Sequence, residues 1–195
     1  QGIKKMNDMI SQVERQLLQA KGLGLDDIER SLEILLGREI DYGEVFVQST
    51  RGESFALEDG IVKEGSFGVE AGIGLRALAG ERTGFAYSED IRLDGLKQAA
   101  KAARSIAGTG SPRKAAGFKA VEAPSLYAST DPISSLTDED KVQLLRRIDQ
   151  TARAQDDKVK EVTVRIAGNH ESILVMASDG TLAADMRPLV RLDVS

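Results

Sequence analysis

The spacing of apolar positions changes period along the chain, and each change predicts a change of element. Met6, Met9, Ile10, Val13 and Leu17 recur every three or four residues, which sets them on one face of a helix, and glycines 22 and 24 end the run. Asp26 or Asp27 is placed to cap a second short helix with Ile28, Leu32 and Leu35 on one face and Gly37 just past its end. The period then drops to two. Val45 and Val47 alternate with Glu44, Phe46 and Gln48, and the segment 54–66 reads as two strands about a Glu58-Asp59-Gly60 turn. A third helix carries Leu93, Leu96, Ala100, Ala103 and Ala107. Thr137 with Asp140 makes a capping box and opens a fourth, with Val142, Leu145, Ile148 and Ala152 along it. The tail returns to alternation: Val162, Val164 and Ile166, a turn at Gly168-Asn169, then Ile173 and Val175, a turn at Ser178-Asp179-Gly180, and finally Val190, Leu192 and Val194.

No period survives between 108 and 135, where Gly, Ser, Pro and Ala dominate. Such a long connection is expected to be functional or mobile. Its first part, 108–117, is expected to move freely, and 125–130 to be pinned in extended form through Leu126 and Tyr127. No internal repeat is evident. The elements together predict an α+β domain, a largely antiparallel, curved sheet with helices on one face.

The glycine-rich stretch 68–88 contains a formal dinucleotide fingerprint, Gly72-x-Gly74-x-x-Ala77. That fingerprint works only between a strand and a helix whose N-terminus holds the pyrophosphate. Here Val69, Ala71, Ile73, Leu75 and Ala77 keep a period of two straight through it, with Glu70, Gly72, Gly74 and Arg76 on the opposite face. Residues 79–82 supply a turn, 83–88 return as a strand, and the next helix begins only after Ser88. The stretch is therefore a β-hairpin, and an α/β enzyme of small molecules built on it would require a helix starting near Gly74 instead. Glycines inside strands mark a bend or the close approach of another backbone. Gly72, Gly74 and Gly84 would leave one face nearly bare. Either a helix of the same domain packs there, or an extended peptide does, with Phe85 and Tyr87 as walls. Gly72, Gly74, Arg76, Gly84, Phe85 and Tyr87 are thus the candidate substrate contacts.

Composition removes several classes of function. Against 26 Lys and Arg stand 31 Asp and Glu, a net charge of -5 without a basic cluster, which argues against nucleic acid. There is no cysteine, hence no disulfide, thiolate ligand or thiol nucleophile in the chain. His170 is the only histidine. His170-Glu171 begins like the H-E-x-x-H of zinc proteases, but Leu174 stands where the second histidine belongs, so no two-histidine zinc site forms. His170, beside the expected Gly168-Asn169 turn, reads as a solvated residue at a strand start, and no triad has its partner. Carboxylate pairs at 26–27, 89–90, 138–140 and 156–157 sit at expected helix ends, where they serve as caps and solvated charge. Arg187 and Arg191 read as strand-edge charge pairs. No catalytic or metal residue emerges. No apolar run approaches a membrane span, the N-terminus lacks a signal-type apolar core, and Met6 is a candidate native start behind an appended 1–5.

Five segments together carry a resemblance: 41–49 (DYGEVFVQS), 57–66 (LEDGIVKEGS), 72–91 (GIGLRALAGERTGFAYSEDI), 125–149 (SLYASTDPISSLTDEDKVQLLRRID) and 177–195 (ASDGTLAADMRPLVRLDVS). In combination they are similar to the N-terminal half of the TldD/PmbA metalloprotease family, over about 6–195. The 83–87 segment (TGFAY) resembles its TldD branch. The resemblance implies a cytoplasmic protease that works with a PmbA (TldE) partner, trims leader peptides and degrades unfolded polypeptides; the family also carries the label modulator of DNA gyrase. It implies zinc held on an H-E-x-x-x-H helix with a cysteine ligand in a C-terminal half. No position here matches that pattern, so this chain would be the non-catalytic half, ending ahead of the catalytic one. A peptide-binding or assembly module without chemistry is the alternative.

Overall fold

The sequence's two periods become one sheet and four helices in the computed structural model, which describes residues 2–37, 39–108, 115, 117–121 and 126–195. In chain order these are α1 (Gly2–Leu17), a single 3₁₀ turn (Gln19–Lys21), α2 (Leu25–Leu35), β1 (Tyr42–Glu58), β2 (Ile61–Ala79), β3 (Arg82–Ser88), α3 (Leu93–Ala107), β4 (Lys119–Ala120), α4 (Asp138–Arg153), β5 (Thr163–Ala177) and β6 (Thr181–Val194). The strands form one six-stranded sheet in the order β3-β2-β1-β5-β6-β4. β2 and β3 run antiparallel, and the short β4 is parallel to its neighbour β6. The fold is α+β with a largely antiparallel sheet, as the sequence predicts. Among the described residues no helix is long and apolar enough to cross a membrane.

The chain divides into two compact units. The first comprises Gln1–Ser49, Ala71–Ser125 and Ser172–Met186. Its core is largely apolar: Val13, Leu17 and Leu18, then Ile28, Leu32 and Leu35 of α2, meet Val45, Val47, Ile73 and Leu75 of the sheet and the small residues Ala100, Ala103 and Ala107 of α3, with Ser31 and Ser172 also buried. Gly22, at φ +73°, ends the 3₁₀ turn in the left-handed region that glycine adopts without strain. The Gly24 N–H donates to Asp27 Oδ2 at 3.1 Å, so Asp27 reaches back from the first turn of α2, and the cap position itself belongs to Gly24.

The second unit comprises Thr50–Glu70, Leu126–Glu171 and Arg187–Ser195. Its buried apolar cluster is small, Leu57, Leu145, Val162 and Val164, with Ala56 and Ile133 also buried. Asp59 and Gly60 both have positive φ (+49° and +78°), the conformation of a tight hairpin turn, as predicted from their identities. Asp59 Oδ1 accepts from the Val162 N–H at 3.1 Å and from Arg153 Nη2 at 2.5 Å. The predicted capping box opens α4: Thr137 Oγ1 accepts from the Asp140 N–H at 3.1 Å.

Three expectations need correction. Gly168-Asn169 is no turn, because β5 runs unbroken from Thr163 to Ala177. The side chain of Asn169 is accommodated at Gly52, where a Cβ would lie 2.7 Å from its Oδ1, so a distant glycine lets the strand continue. Leu126 does not pin 126–130: it is 80% exposed and the segment is irregular. The aperiodic region holds one strand, β4, whose two residues pair with Thr181 and Leu182 and are too few to show any alternation. The expectation of mobility at 108–117 falls mostly outside the described residues.

Candidate functional site

The hairpin of β2 and β3, in the first unit, is set in register by pairing Ala79 with Arg82, Ala77 with Gly84, Arg76 with Phe85 and Gly74 with Tyr87. There is no helix within the glycine motif, so it is not a phosphate loop. The hairpin's two faces differ in kind. On one, Ile73, Leu75 and Ala77 are fully buried under the helices. Gly84 shares that face: a Cβ there would stand 1.9 Å from the Ala103 carbonyl oxygen and 2.9 Å from the Ala107 nitrogen. The backbone of α3 rests directly on it. Gly84 therefore does not belong to the bare strip with Gly72 and Gly74, and helix packing accounts for it.

On the other face Gly72 and Gly74 are covered by the hairpin's own aromatic rings. A Cβ at Gly72 would meet the Tyr87 ring at 2.5–2.8 Å, and one at Gly74 would meet the Phe85 ring at 3.2 Å. The rings lie diagonally across the strands, each over a glycine that makes room for it. Phe85 and Tyr87 thus form a shelf rather than the walls of an empty groove, and both remain more than half exposed (57% and 59%). Arg76 belongs to this face. Its Nε is 2.8 Å from Glu44 Oε1, off the N–H direction, so charge rather than a directed hydrogen bond joins them. Tyr42 donates to Glu44 Oε2 at 2.9 Å. Burial and then that bond to Glu44 push the Tyr42 phenol up to about 12. The result is an aromatic surface with its one cation neutralised, on the strand that terminates the sheet. It suits stacking and strand addition, and it offers no nucleophile or general base.

A second polar cluster lies in the other unit. Lys141, in the first turn of α4, is buried; its Nζ is 2.5 Å from Glu53 Oε1, donates to the Ile133 carbonyl at 2.7 Å and lies 3.6 Å from Asp138. These residues, with Phe55, Gly65, Ser66 and Phe67, line an open pocket of about 500 Å³. Of the expected Val142, Leu145, Ile148 and Ala152 face, Leu145 is fully buried and Ile148 and Ala152 pack against its cluster, while Lys141 and Asp149 are buried as well, which the spacing of apolar residues did not predict. The i, i+4 spacing of Lys141 and Leu145 was the available signal. Nearby, Arg51 pairs with Asp131 and its Nη2 lies 3.4 Å from His170 Nδ1. Burial works to raise the Asp131 carboxyl, but bonds from Ser134, Arg51 and the Ile133 N–H outweigh it and hold the group below the usual range.

His170 is buried, 4% exposed, in the middle of β5, and not the solvated residue expected. A guanidinium only donates, so Nδ1 accepts and the ring proton is assigned to Nε2. With one ring nitrogen facing a cation, His170 is unsuited to hold a metal. Among the described residues no group of three or more His, Cys, Asp or Glu is arranged for one, and the residues do not fit a zinc site. Arg191 grips Asp193 through two bonds of 2.8 and 2.9 Å, and Arg187 lies 3.8 Å from Glu171, as expected of strand charge pairs.

Residues 43–107 match the PmbA/TldA metallopeptidase domain 1, and residues 131–195 match the PmbA/TldA metallopeptidase central domain. The chain is 43% identical over 189 residues to the metalloprotease TldD homolog of Haemophilus influenzae, covering 96% of this chain and 39% of that protein. It is 38% identical to the metalloprotease TldD homolog of Buchnera aphidicola from Acyrthosiphon pisum, covering 94% and 38%. The chain belongs to the PmbA/TldD family. It spans well under half the length of those relatives. Among solved structures it resembles TldE from Thermococcus kodakarensis (TM-score 0.58, 17% identity, 87% of this chain and 42% of that one). It also resembles a candidate modulator of DNA gyrase from Bacteroides thetaiotaomicron (TM-score 0.65, 16% identity, 87% and 40%). At these identities the structures speak for the PmbA/TldD fold alone.

Proposed function

We propose that this chain is the non-catalytic half of a zinc metalloprotease that, with a PmbA/TldE-like partner, cleaves leader peptides and unfolded polypeptides in the cytoplasm. The aromatic face of the β2–β3 hairpin contacts the peptide. The observation that carries this reading is the pair of exposed rings, Phe85 and Tyr87, propped over Gly72 and Gly74 on the terminal strand of the sheet. A protease of many unfolded sequences must recognise the backbone, and a free strand edge flanked by aromatic surface supplies that recognition. Arg76, held by Glu44, frames the shelf, while Gly84 acts only through α3. The net charge of -5 fits a peptide partner better than nucleic acid. Zinc and the groups that cleave belong to the part of the parent protein outside this chain.

The test uses the full-length protein with its partner subunit. Replacing both Phe85→Ser and Tyr87→Ser should raise KM for an unstructured peptide about tenfold or more with little change in kcat. An unchanged KM would remove the shelf from substrate binding. The 195-residue chain alone should hydrolyse no peptide and carry no stoichiometric zinc by metal analysis; one tightly held zinc per chain with hydrolysis would overturn the non-catalytic assignment.

A further inference from the structure

The first half of β2 has a feature that the hairpin site does not use. All ten residues 61–70 are exposed. Among the described residues, β3 pairs with β2 only over 73–79, and no backbone bond from a turn or loop reaches 61–70. The outer edge is therefore a row of free N–H and C=O groups. A long, uncovered edge is the arrangement that folded proteins avoid unless a strand docks on it, and this one carries Ile61, Val62, Phe67 and Val69 beside the charges of Lys63, Glu64 and Glu70. Ile61, Phe67 and Val69 share one side of the edge by alternation and are all exposed, Phe67 to 65%. Gly68 leaves open space where a side chain would stand.

Backbone groups in such a row are satisfied together only by another extended chain. The pocket of Glu53, Phe55, Gly65, Ser66, Phe67, Ile133, Asp138 and Lys141 opens at this edge, so one side chain of an added strand would enter it. Within the pocket two carboxylates, Glu53 and Asp138, face one ammonium, Lys141, and Asp138 is the carboxylate left at the open mouth. Phe55 and Phe67 supply apolar surface for an alkyl stem. The pocket thus favours Lys or Arg. The chain's net charge of -5 favours a basic segment over a second copy of itself.

We infer that the 61–70 edge of β2 takes up an extended, basic polypeptide in trans as an added strand, with a Lys or Arg side chain in the Phe55–Phe67–Asp138 pocket. This goes beyond the hairpin reading and stands independently of it. The test is fluorescence anisotropy with the 195-residue chain and a short fluorescein-labelled peptide alternating valine and threonine about a central lysine. Saturable binding is expected, weakened about tenfold or more by Phe67→Lys, which places a strand-blocking charge on the edge. Val69→Lys is the second variant, and unchanged thermal unfolding of both shows that the fold is retained. Replacing the peptide's lysine by glutamate should weaken binding, and Asp138→Asn should narrow the difference. The measurements are repeated in the Phe85→Ser, Tyr87→Ser background, where the hairpin face no longer contributes, and Phe67→Lys should still weaken binding about tenfold. Absence of saturable binding, indifference to both lysine variants, or a dimer of the chain dissolved by Phe67→Lys would each overturn the inference.

Discussion

The two units bury different chemistry beneath their helices. In the first, α1, α2 and α3 meet the strands mainly through apolar groups, with Ser172 Oγ donating to Gln16 Oε1 at 2.9 Å, and contact is close enough that α3 lies on the bare backbone of Gly84. In the second, a small apolar cluster sits beside the buried pair of Lys141 with Glu53 and the more exposed pairs of Arg51 with Asp131 and Arg153 with Asp59. The first unit is held by shape and the second in large part by charge. Interiors packed on shape respond to volume, because close-packed groups have nowhere to go. Those held by partly buried charge respond to the loss of a partner and to pH.

The sharpest break is Gly84→Val. A Cβ 1.9 Å from a helix carbonyl cannot be relieved by a side-chain rotation, since backbone must move, and a loss of about 3 kcal/mol or more is expected. Gly74→Val is the control within the same hairpin. Its contact is with the exposed Phe85 ring, which can swing aside, so the loss should stay below about 1.5 kcal/mol. Urea unfolding of the two variants measures the difference. Equal losses would mean that α3 is not seated as described.

In the second unit the corresponding break is Lys141→Ala. Lys141 and Glu53 have side chains only 5% and 11% exposed, so removing the ammonium strands a carboxylate with little water. A loss of about 3 kcal/mol is expected. Pairing Lys141→Met with Glu53→Leu should recover most of it, because no unpaired charge is left. A double variant as unstable as the single one would show that the lysine acts through its bond to the Ile133 carbonyl instead.

How much of this was legible follows from the range of each signal. The first three helices, the Asp59-Gly60 hairpin and the Thr137 cap depend on residues a few positions apart, and spacing alone reveals them. Gly168-Asn169 carries the composition of a turn, yet the strand continues because Gly52, far away in sequence, yields space to Asn169. Along α4 the expected Leu145, Ile148 and Ala152 pack inward, and Lys141 joins them because Glu53 and the Ile133 carbonyl receive its charge. The hairpin's glycines were legible as bare positions. What fills the space over each was not, since it depends on which ring crosses the strand diagonally and on where α3 docks.

The smallest expected effect is the pH response of the second unit. The folded Asp131 carboxyl lies below the ordinary carboxylate range: burial opposes this, but the Ser134, Arg51 and Ile133 donors prevail. Asp59 is lowered too, first by the Val162 N–H and then by Arg153. A group that holds its proton more weakly when folded than when unfolded stabilises the fold fully above its unfolded pKa, about 3.9 for Asp, and loses that contribution as pH falls through the folded value. Asp131→Asn should therefore lower Tm near neutral pH, and the gap to the parent chain should close steadily below about pH 4. Thermal unfolding followed by circular dichroism across that range reads the gap directly. A gap independent of pH would show that Asp131 acts as a neutral hydrogen-bond acceptor at the start of α4's approach, and that charge holds the second unit less than its ion pairs imply.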